Sequence, residues 1–314
     1  MTVFHRSARN PILEPSGAWW ENKGVLNPGV ARFGDRIVMI YRAVGSDNIS
    51  RFCRAISTDG VHFERDPIPW AETQPGDWNG RLGIEDPRIT RIGSTFYLTY
   101  AKVGVDPGTF PMLEWEPAPF HIRSWISETS EFESMRDVGP VLDDRTTKDL
   151  VLFPEKIKDQ FFALVREFPS IQLITSTDLV HWSDPVTMLE PIPDTWAADR
   201  IGAGPPPVRV DRGWLFLYHA NEYLRFPGNQ RMYRMGFAIL DAEDPGRVLY
   251  RHPEPIFEPE APYECEGPVG NVVFGTGLLE ENGDLLLYYG AGDGVIALAT
   301  ARTADLLGLV PDHL

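Results

Sequence analysis

The sequence predicts an all-β fold, a five-bladed β-propeller built as a single domain over residues 1–314. Three observations carry that expectation: a strand that recurs five times, a turn that recurs beside it, and a high share of Gly and Pro. Gly and Pro number 28 each, about 18% of the chain against roughly 12% in ordinary proteins. Turns are therefore dense, and no stretch shows the sustained 3.6-residue apolar period of a core helix.

The recurring strands are Arg36-Ile-Val-Met-Ile-Tyr-Arg42, Ser94-Thr-Phe-Tyr-Leu-Thr-Tyr100, Gln160-Phe-Phe-Ala-Leu-Val-Arg166, Gly213-Trp-Leu-Phe-Leu-Tyr-His219 and Asp284-Leu-Leu-Leu-Tyr-Tyr-Gly290. Each follows a turn signal: Gly34-Asp35, Gly93-Ser94, Lys158-Asp159, Asp211-Arg212-Gly213 and Asn282-Gly283-Asp284. A short β-rich run behind such a turn reads as a hairpin entering a buried strand. From Tyr41 through Tyr100, Val165 and Tyr218 to Tyr289 the spacings are 59, 65, 53 and 71 residues. Those lengths suit four-stranded propeller blades with long connections; a sandwich of the same strands is the alternative.

The second repeat is Arg54-Ala-Ile-Ser-Thr-Asp-Gly-Val-His-Phe63, matched by Leu173-Ile-Thr-Ser-Thr-Asp-Leu-Val-His-Trp182 and more loosely by residues 122–132. A strand ends in Ser, a polar turn follows, and an aromatic residue packs back. The Asp or Thr side chain can bond its own backbone and close the turn. Residues 104–121, with four prolines, are expected to form an insertion loop between blade strands.

With 29 Lys and Arg against 45 Asp and Glu, the net charge is −16. A body this acidic repels nucleic acid and anionic membranes, and no run of clustered Lys and Arg offsets it. No segment has the roughly 18 apolar residues of a membrane-spanning helix. The N-terminal residues lack a signal-peptide core, so a cytoplasmic location is expected. Cys53 and Cys265 make no disulfide framework and read as free thiols. The seven histidines form no H-x-x-x-H pair, so no metal is expected. Nucleotide-binding glycine motifs and a nucleophile elbow are also missing, and no cofactor is expected.

What remains is charge at strand ends. Arg42, Arg166 and His219 end three of the recurring strands. Glu85, Asp86 and Arg88 precede another, and Lys148 and Arg200 stand near two more. In a propeller the strand ends of different blades meet at one channel mouth, so residues far apart in sequence can build one site. Cations gathered in an acidic protein repel one another unless an anion joins them, so an anionic ligand is expected.

These residues also carry a family resemblance. Asn27-Pro-Gly29, Tyr41-Arg42, Ser57-Thr-Asp-Gly60, Glu85-Asp-Pro-Arg88, Lys148-Asp149, Leu152-Phe-Pro-Glu-Lys156, Ile201-Gly-Ala-Gly-Pro-Pro206, Tyr218-His219, Asn271-Val-Val-Phe274 and Tyr288-Tyr-Gly-Ala-Gly-Asp293 fall in order along the chain. In this the sequence resembles glycoside hydrolase family 130, the β-mannoside phosphorylases and related mannosidases. The resemblance implies a five-bladed propeller and inverting phosphorolysis of a β-mannosyl oligosaccharide by inorganic phosphate. It implies that Asp86 is the general acid and that Asn27, Arg42, Glu85, Arg88 and Asp293 surround the sugar. Lys148, Arg166, Arg200 and His219 would hold phosphate. Phosphorylases commonly carry Arg near position 148 and Lys near 200; here the two are exchanged.

The chemistry agrees with that implication. An inverting hydrolase needs an acid and a base, because water is a poor nucleophile. Phosphate is already an anion and needs cations to hold it opposite the leaving group. A hydrolase of the same family, with Glu167, Glu222, Glu264 or Glu266 as base, and a non-catalytic sugar-binding propeller are the alternatives. A homo-oligomer is compatible with either enzyme reading.

Overall fold

The computed structural model describes residues 3–105, 120–223 and 231–311. Strand makes up 54% and helix 4% of it, which places the chain in the all-β class. The strands form five antiparallel runs. The first run is Gly24–Phe33, Arg36–Val44, Ser50–Ser57 and Glu64–Arg65; the second is Gly83–Ile92, Thr95–Val105, Phe120–Thr129 and Arg136–Val141. The third is Thr147–Leu152, Phe161–Glu167, Ser170–Ser176 and Val186–Leu189. In the fourth, Arg200–Ala203 and Val208–Val210 both pair with Gly213–Tyr223, followed by Arg231–Leu240 and Val248–Arg251. The fifth is Val273–Glu281, Asp284–Ala291 and Val295–Arg302, completed by His5–Arg6 from the other end of the chain.

A single parallel pair, Ser50 with Gly83, joins the first two runs, so five runs make four sheets. No sheet closes on itself among the described residues. The first strands of the runs lie against one another. Gly24–Phe33 touches both Gly83–Ile92 and Val273–Glu281, and Thr147–Leu152 touches Gly83–Ile92 and Arg200–Ala203. The five strands singled out from the sequence are the second strand of each run, one step out from these.

The expected turns are present. Gly34, Gly93, Lys158, Asp159, Asn282 and Gly283 all have φ between 51° and 85°, the left-handed conformation that tight hairpin turns require. The repeated Ser-Thr-Asp turn is the same object twice. The hydroxyl of Ser57 accepts from the amides of Asp59 and Gly60, and Asp59 accepts from those of Val61 and His62. Ser176 and Asp178 repeat each contact one by one. The aromatic that follows packs back: Phe63 meets Tyr288 edge-on at 5.9 Å, and the Trp182 indole donates to Leu179 O at 3.1 Å.

The core lies between successive runs rather than at one centre. Trp214 and Phe216 of the fourth run pack with Phe153, Phe162 and Leu164 of the third. Tyr41 and Met39 of the first share a cluster with Tyr288 and Ile296 of the fifth. The fifth run is fastened to the N-terminal strand by Glu264, which is fully buried. Its carboxylate accepts from Arg6 Nε and Nη2, both at 2.8 Å, and from the Tyr289 hydroxyl at 2.7 Å.

The insertion expected at 104–121 is narrower than the sequence suggested. Val105 and Phe120 still pair as strand, because the flanking segments alternate well enough to extend the hairpin. The remaining residues, 106–119, lie outside the described part of the chain.

Candidate functional site

Three of the first strands carry the same irregularity. Pairing slips between Leu26 and Gly29, between Glu85 and Arg88, and between Lys148 and Val151. At each slip sits a left-handed residue: Asn27 at φ 47°, Asp86 at 54° and Asp149 at 56°. Asn and Asp are the non-glycine residues that accept this conformation most readily. A bulge of this kind re-aims a side chain, and here it turns two carboxylates and an amide toward a shared cavity. In two of the bulges the next residue is Pro, which favours an extended predecessor. Asn27 and Asp86 are thus held against local preference, as strained positions at functional sites often are.

The cavity has a volume of about 330 Å³ and is lined by Asn27, Arg42, Asp86, Lys148, Arg166, Arg200 and Asp293 among others. All seven were singled out from the sequence. The side chains form two linked clusters. In the first, Asp86 is met by Asn27 Nδ2 at 2.7 Å, Arg42 Nη1 at 3.2 Å and Lys148 Nζ at 2.9 Å. Glu85 grips the same two cations, Arg42 at 2.7 Å and Lys148 at 2.9 Å. In the second, Asp149 is met by Arg166 at 2.8 Å, by Arg88 at 3.3 Å and by His219 Nε2 at 3.3 Å. Asp149 Oδ2 lies close to the Arg166 guanidinium and to His219 Nε2, in neither case with hydrogen-bond alignment. Arg88 joins the clusters, since its Nη1 also donates to Asp86 O at 3.0 Å.

Three expected site residues, Glu85, Arg88 and His219, do not line the cavity. Arg88 is fully buried and its guanidinium is used up on the protein, including the carbonyls of Gly204 and Ala203 at 2.8 and 2.7 Å. It ties the second run to the fourth, so the substrate-binding place expected for it is corrected to a structural one. His219 is also fully buried, behind Asp149 and with its ring 4.2 Å from that of Phe274. Burial pushes its pKa down to about 4 despite Asp149, so the ring is neutral and is not one of the cations expected here. Gly202 makes room for this arrangement: a Cβ there would lie 2.4 Å from both Asp149 Oδ2 and His219 Nε2. Glu85 lies beside the cavity and holds two of its lining cations.

The sequence reading also left the cations unpaired. Instead each has a partner, because the bulges bring carboxylates in with them. Arg200 donates to the Tyr233 hydroxyl and lies 5.6 Å from that ring. With the Asn221 amide nitrogen turned toward Asp199, its oxygen accepts from Arg200 Nε at 3.1 Å. Even so, the lining is cationic. Arg42, Lys148, Arg166, Arg200 and Arg231 face Asp86, Asp149 and Asp293, an excess of positive charge in a protein of charge −16.

Burial alone would push the Asp86 carboxyl up, but Lys148 and Arg42 outweigh it and hold the group ionised. Asp149 is held well below the usual range for the same reason, with Arg166 the strongest opposing influence on its burial. Asp293 differs: burial dominates and raises it to about 6, with Arg42 only partly offsetting. Lys148 is raised, because Asp86 and Glu85 outweigh its own burial.

Sequence reasoning missed Asp149, Tyr233, Phe274 and Arg231 as parts of the site. Asp149 had a signal, since it occupies the place in its run that Asn27 and Asp86 occupy in theirs. Tyr233 and Arg231 stand on a third strand that no repeat marked. Among the described residues no group of His, Cys, Asp or Glu could hold a metal ion.

A family model described as beta-1,4-mannooligosaccharide phosphorylase, glycoside hydrolase family 130, matches residues 20–311. The 1,2-beta-oligomannan phosphorylase of Thermoanaerobacter sp. (strain X514) is 33% identical over 316 residues, covering 98% of this chain and 99% of that one. The beta-1,2-mannobiose phosphorylase of the same organism is also 33% identical, covering 94% and 95%. Among solved structures, the beta-1,2-mannobiose phosphorylase of Listeria innocua in complex with beta-1,2-mannobiose superposes with a TM-score of 0.83. It is 26% identical, with 98% of each chain covered.

Proposed function

The chain belongs to glycoside hydrolase family 130, and from that membership we propose an inverting phosphorylase of β-mannosides. It takes a β-mannosyl saccharide and inorganic phosphate and yields α-mannose 1-phosphate and the shortened saccharide. We place this on a five-bladed propeller, supported by the five strand runs whose first strands lie against one another. The relatives at 33% identity act on β-1,2-linked mannosides by name, which favours that linkage here.

One observation carries the proposal: a cavity with more cations than carboxylates, in an acidic protein, gathered around Asp86. Asp86 is assigned as the general acid, with Asn27, Arg42 and Asp293 around the mannosyl unit. Lys148, Arg166 and Arg200 are assigned to phosphate, whose oxygens accept charge-assisted hydrogen bonds from them. None of the four glutamates considered as a hydrolytic base lines the cavity. Glu167 is paired with Arg145, Glu222 with Arg234 and Glu264 with Arg6, and Glu266 is exposed.

The test is product identity. With β-1,2-mannobiose and phosphate, mannose 1-phosphate is expected to accumulate with little free mannose. Free mannose formed at an equal rate without phosphate would overturn the reading and favour hydrolysis, with Asp293 the cavity carboxyl left to act as base.

Arg166→Ala is expected to raise the KM for phosphate about tenfold or more, the cost of a charged hydrogen bond at roughly 1.5–3 kcal/mol, with saccharide KM changed far less. Initial rates with each substrate varied in turn check this. Equal effects on both would remove Arg166 from the phosphate side.

A further inference from the structure

A general acid must carry a proton, yet Asp86 is surrounded by groups that favour its ionised form. Asn27 reaches it from the first run, Arg42 from the second strand of that run, and Lys148 from the third run. Arg88 meets its backbone carbonyl from its own strand, and Asp293 and Asp149 share the cavity lining with it. Three donors on one carboxylate leave no ready place for a proton. Of the three, Lys148 is the one that can leave. It is a single ammonium on a flexible stem, it lines the cavity, and it already divides its contacts between Asp86 and Glu85 at 2.9 Å each.

We propose that an anion entering the cavity draws Lys148 away from Asp86, and that Asp86 then takes up the proton it later donates. The inference rests on the phosphorylase reading and adds a coupling between its two substrates. Glu85 is the positioning residue of the exchange. It keeps hold of both Arg42 and Lys148, so neither cation loses its countercharge when Asp86 becomes neutral. Removing Lys148 from Asp86 takes away the strongest influence that holds the group ionised, while burial continues to favour the neutral acid.

The proton balance closes. The Lys148–Asp86 ion pair breaks, a Lys148–anion pair forms, and the carboxylate gains one proton. Over the full reaction, one C–O bond of the mannoside breaks and one forms to phosphorus-bound oxygen. Asp86 takes its proton from solvent and gives it to the released saccharide. Hydrogen phosphate enters as a dianion bearing one proton and the mannosyl phosphate leaves as a dianion bearing none, so one proton returns to solvent and the cycle closes.

Sulfate separates binding from chemistry, since it is ionised throughout the neutral range and brings no proton. Titration calorimetry of the whole protein with sulfate at pH 7, in buffers of different ionisation enthalpy, counts protons taken up. About half to one proton per sulfate is expected, lost in Asp86→Asn and kept in Asp293→Asn. Sulfate affinity of the wild type should also weaken as pH rises from 6 to 8, by up to about tenfold per unit. This second measurement decides the matter if the Asp86 variant does not fold. Uptake near zero with a flat affinity overturns the proposal, as does uptake that survives Asp86→Asn and vanishes in Asp293→Asn. A wild-type enzyme that binds sulfate with proton uptake but forms no mannose 1-phosphate overturns the phosphorylase reading instead.

Discussion

Asp86→Asn is expected to lower phosphorolytic turnover by roughly 10²–10⁴-fold, the usual contribution of general acid catalysis. Asparagine keeps the shape and its oxygen can still accept from Asn27 and Arg42, but its amide nitrogen cannot accept from Lys148 and it has no acidic proton to give. Saccharide binding should therefore survive. Anion binding should tighten, because one negative charge beside Lys148 and Arg42 is gone. Steady-state turnover and sulfate affinity, measured on one preparation, check both halves. A variant with more than about a tenth of wild-type turnover would exclude Asp86 as the acid. A variant that loses turnover and anion affinity together has lost the site's architecture instead.

Asp149→Ala is expected to be the most destabilising single change in the cavity wall. Asp149 is the shared countercharge of Arg166 and Arg88, and Arg88 is fully buried. Removing one partner from a buried ion pair leaves charge with nowhere to go, at about 3–5 kcal/mol. Asp149→Asn should fall well short of that, since an amide oxygen can still accept. Denaturant unfolding of the two variants against wild type measures the difference. Stability within about 1 kcal/mol of wild type for the alanine variant would show that Asp149 is not the anchor of that cluster. Turnover should also fall in both variants, because Arg166 is fixed by this contact.

Much of the strand pattern could be read in advance because its causes are local. Alternation and turn residues specify the hairpins, and the Ser57 and Ser176 turns are closed by side chains within six residues of one another. The cations were legible too, as polar residues where the strand pattern wants apolar ones. Their countercharges were harder to see. Asp149 pairs with Arg88 and His219, and Glu85 with Lys148, across runs and 61 to 70 positions away, and no local pattern announces such a contact. Arg88 and His219 were misplaced for a related reason. A position beside the cavity does not say which way the side chain points, and the bulge after Glu85 turns Asp86 in while Arg88 runs behind. The burial that makes His219 neutral is likewise a property of the packed fold.

The pairing of His5–Arg6 with residues 299–300 has a consequence for the order in which the molecule assembles. Four of the runs can form from neighbouring segments as the chain leaves the ribosome. The fifth cannot, because its outer strand is made first and its inner strands last. Until then Arg6 has no Glu264, since 258 residues separate them. Phe4, fully buried in the finished fold beside Phe257 and Tyr289, must wait in solvent. Contacts of such long sequence separation slow folding, and a growing chain with an unpaired apolar end is exposed to misassembly. Closing the fifth run must therefore wait until the strands Asp284–Ala291 and Val295–Arg302 have been made.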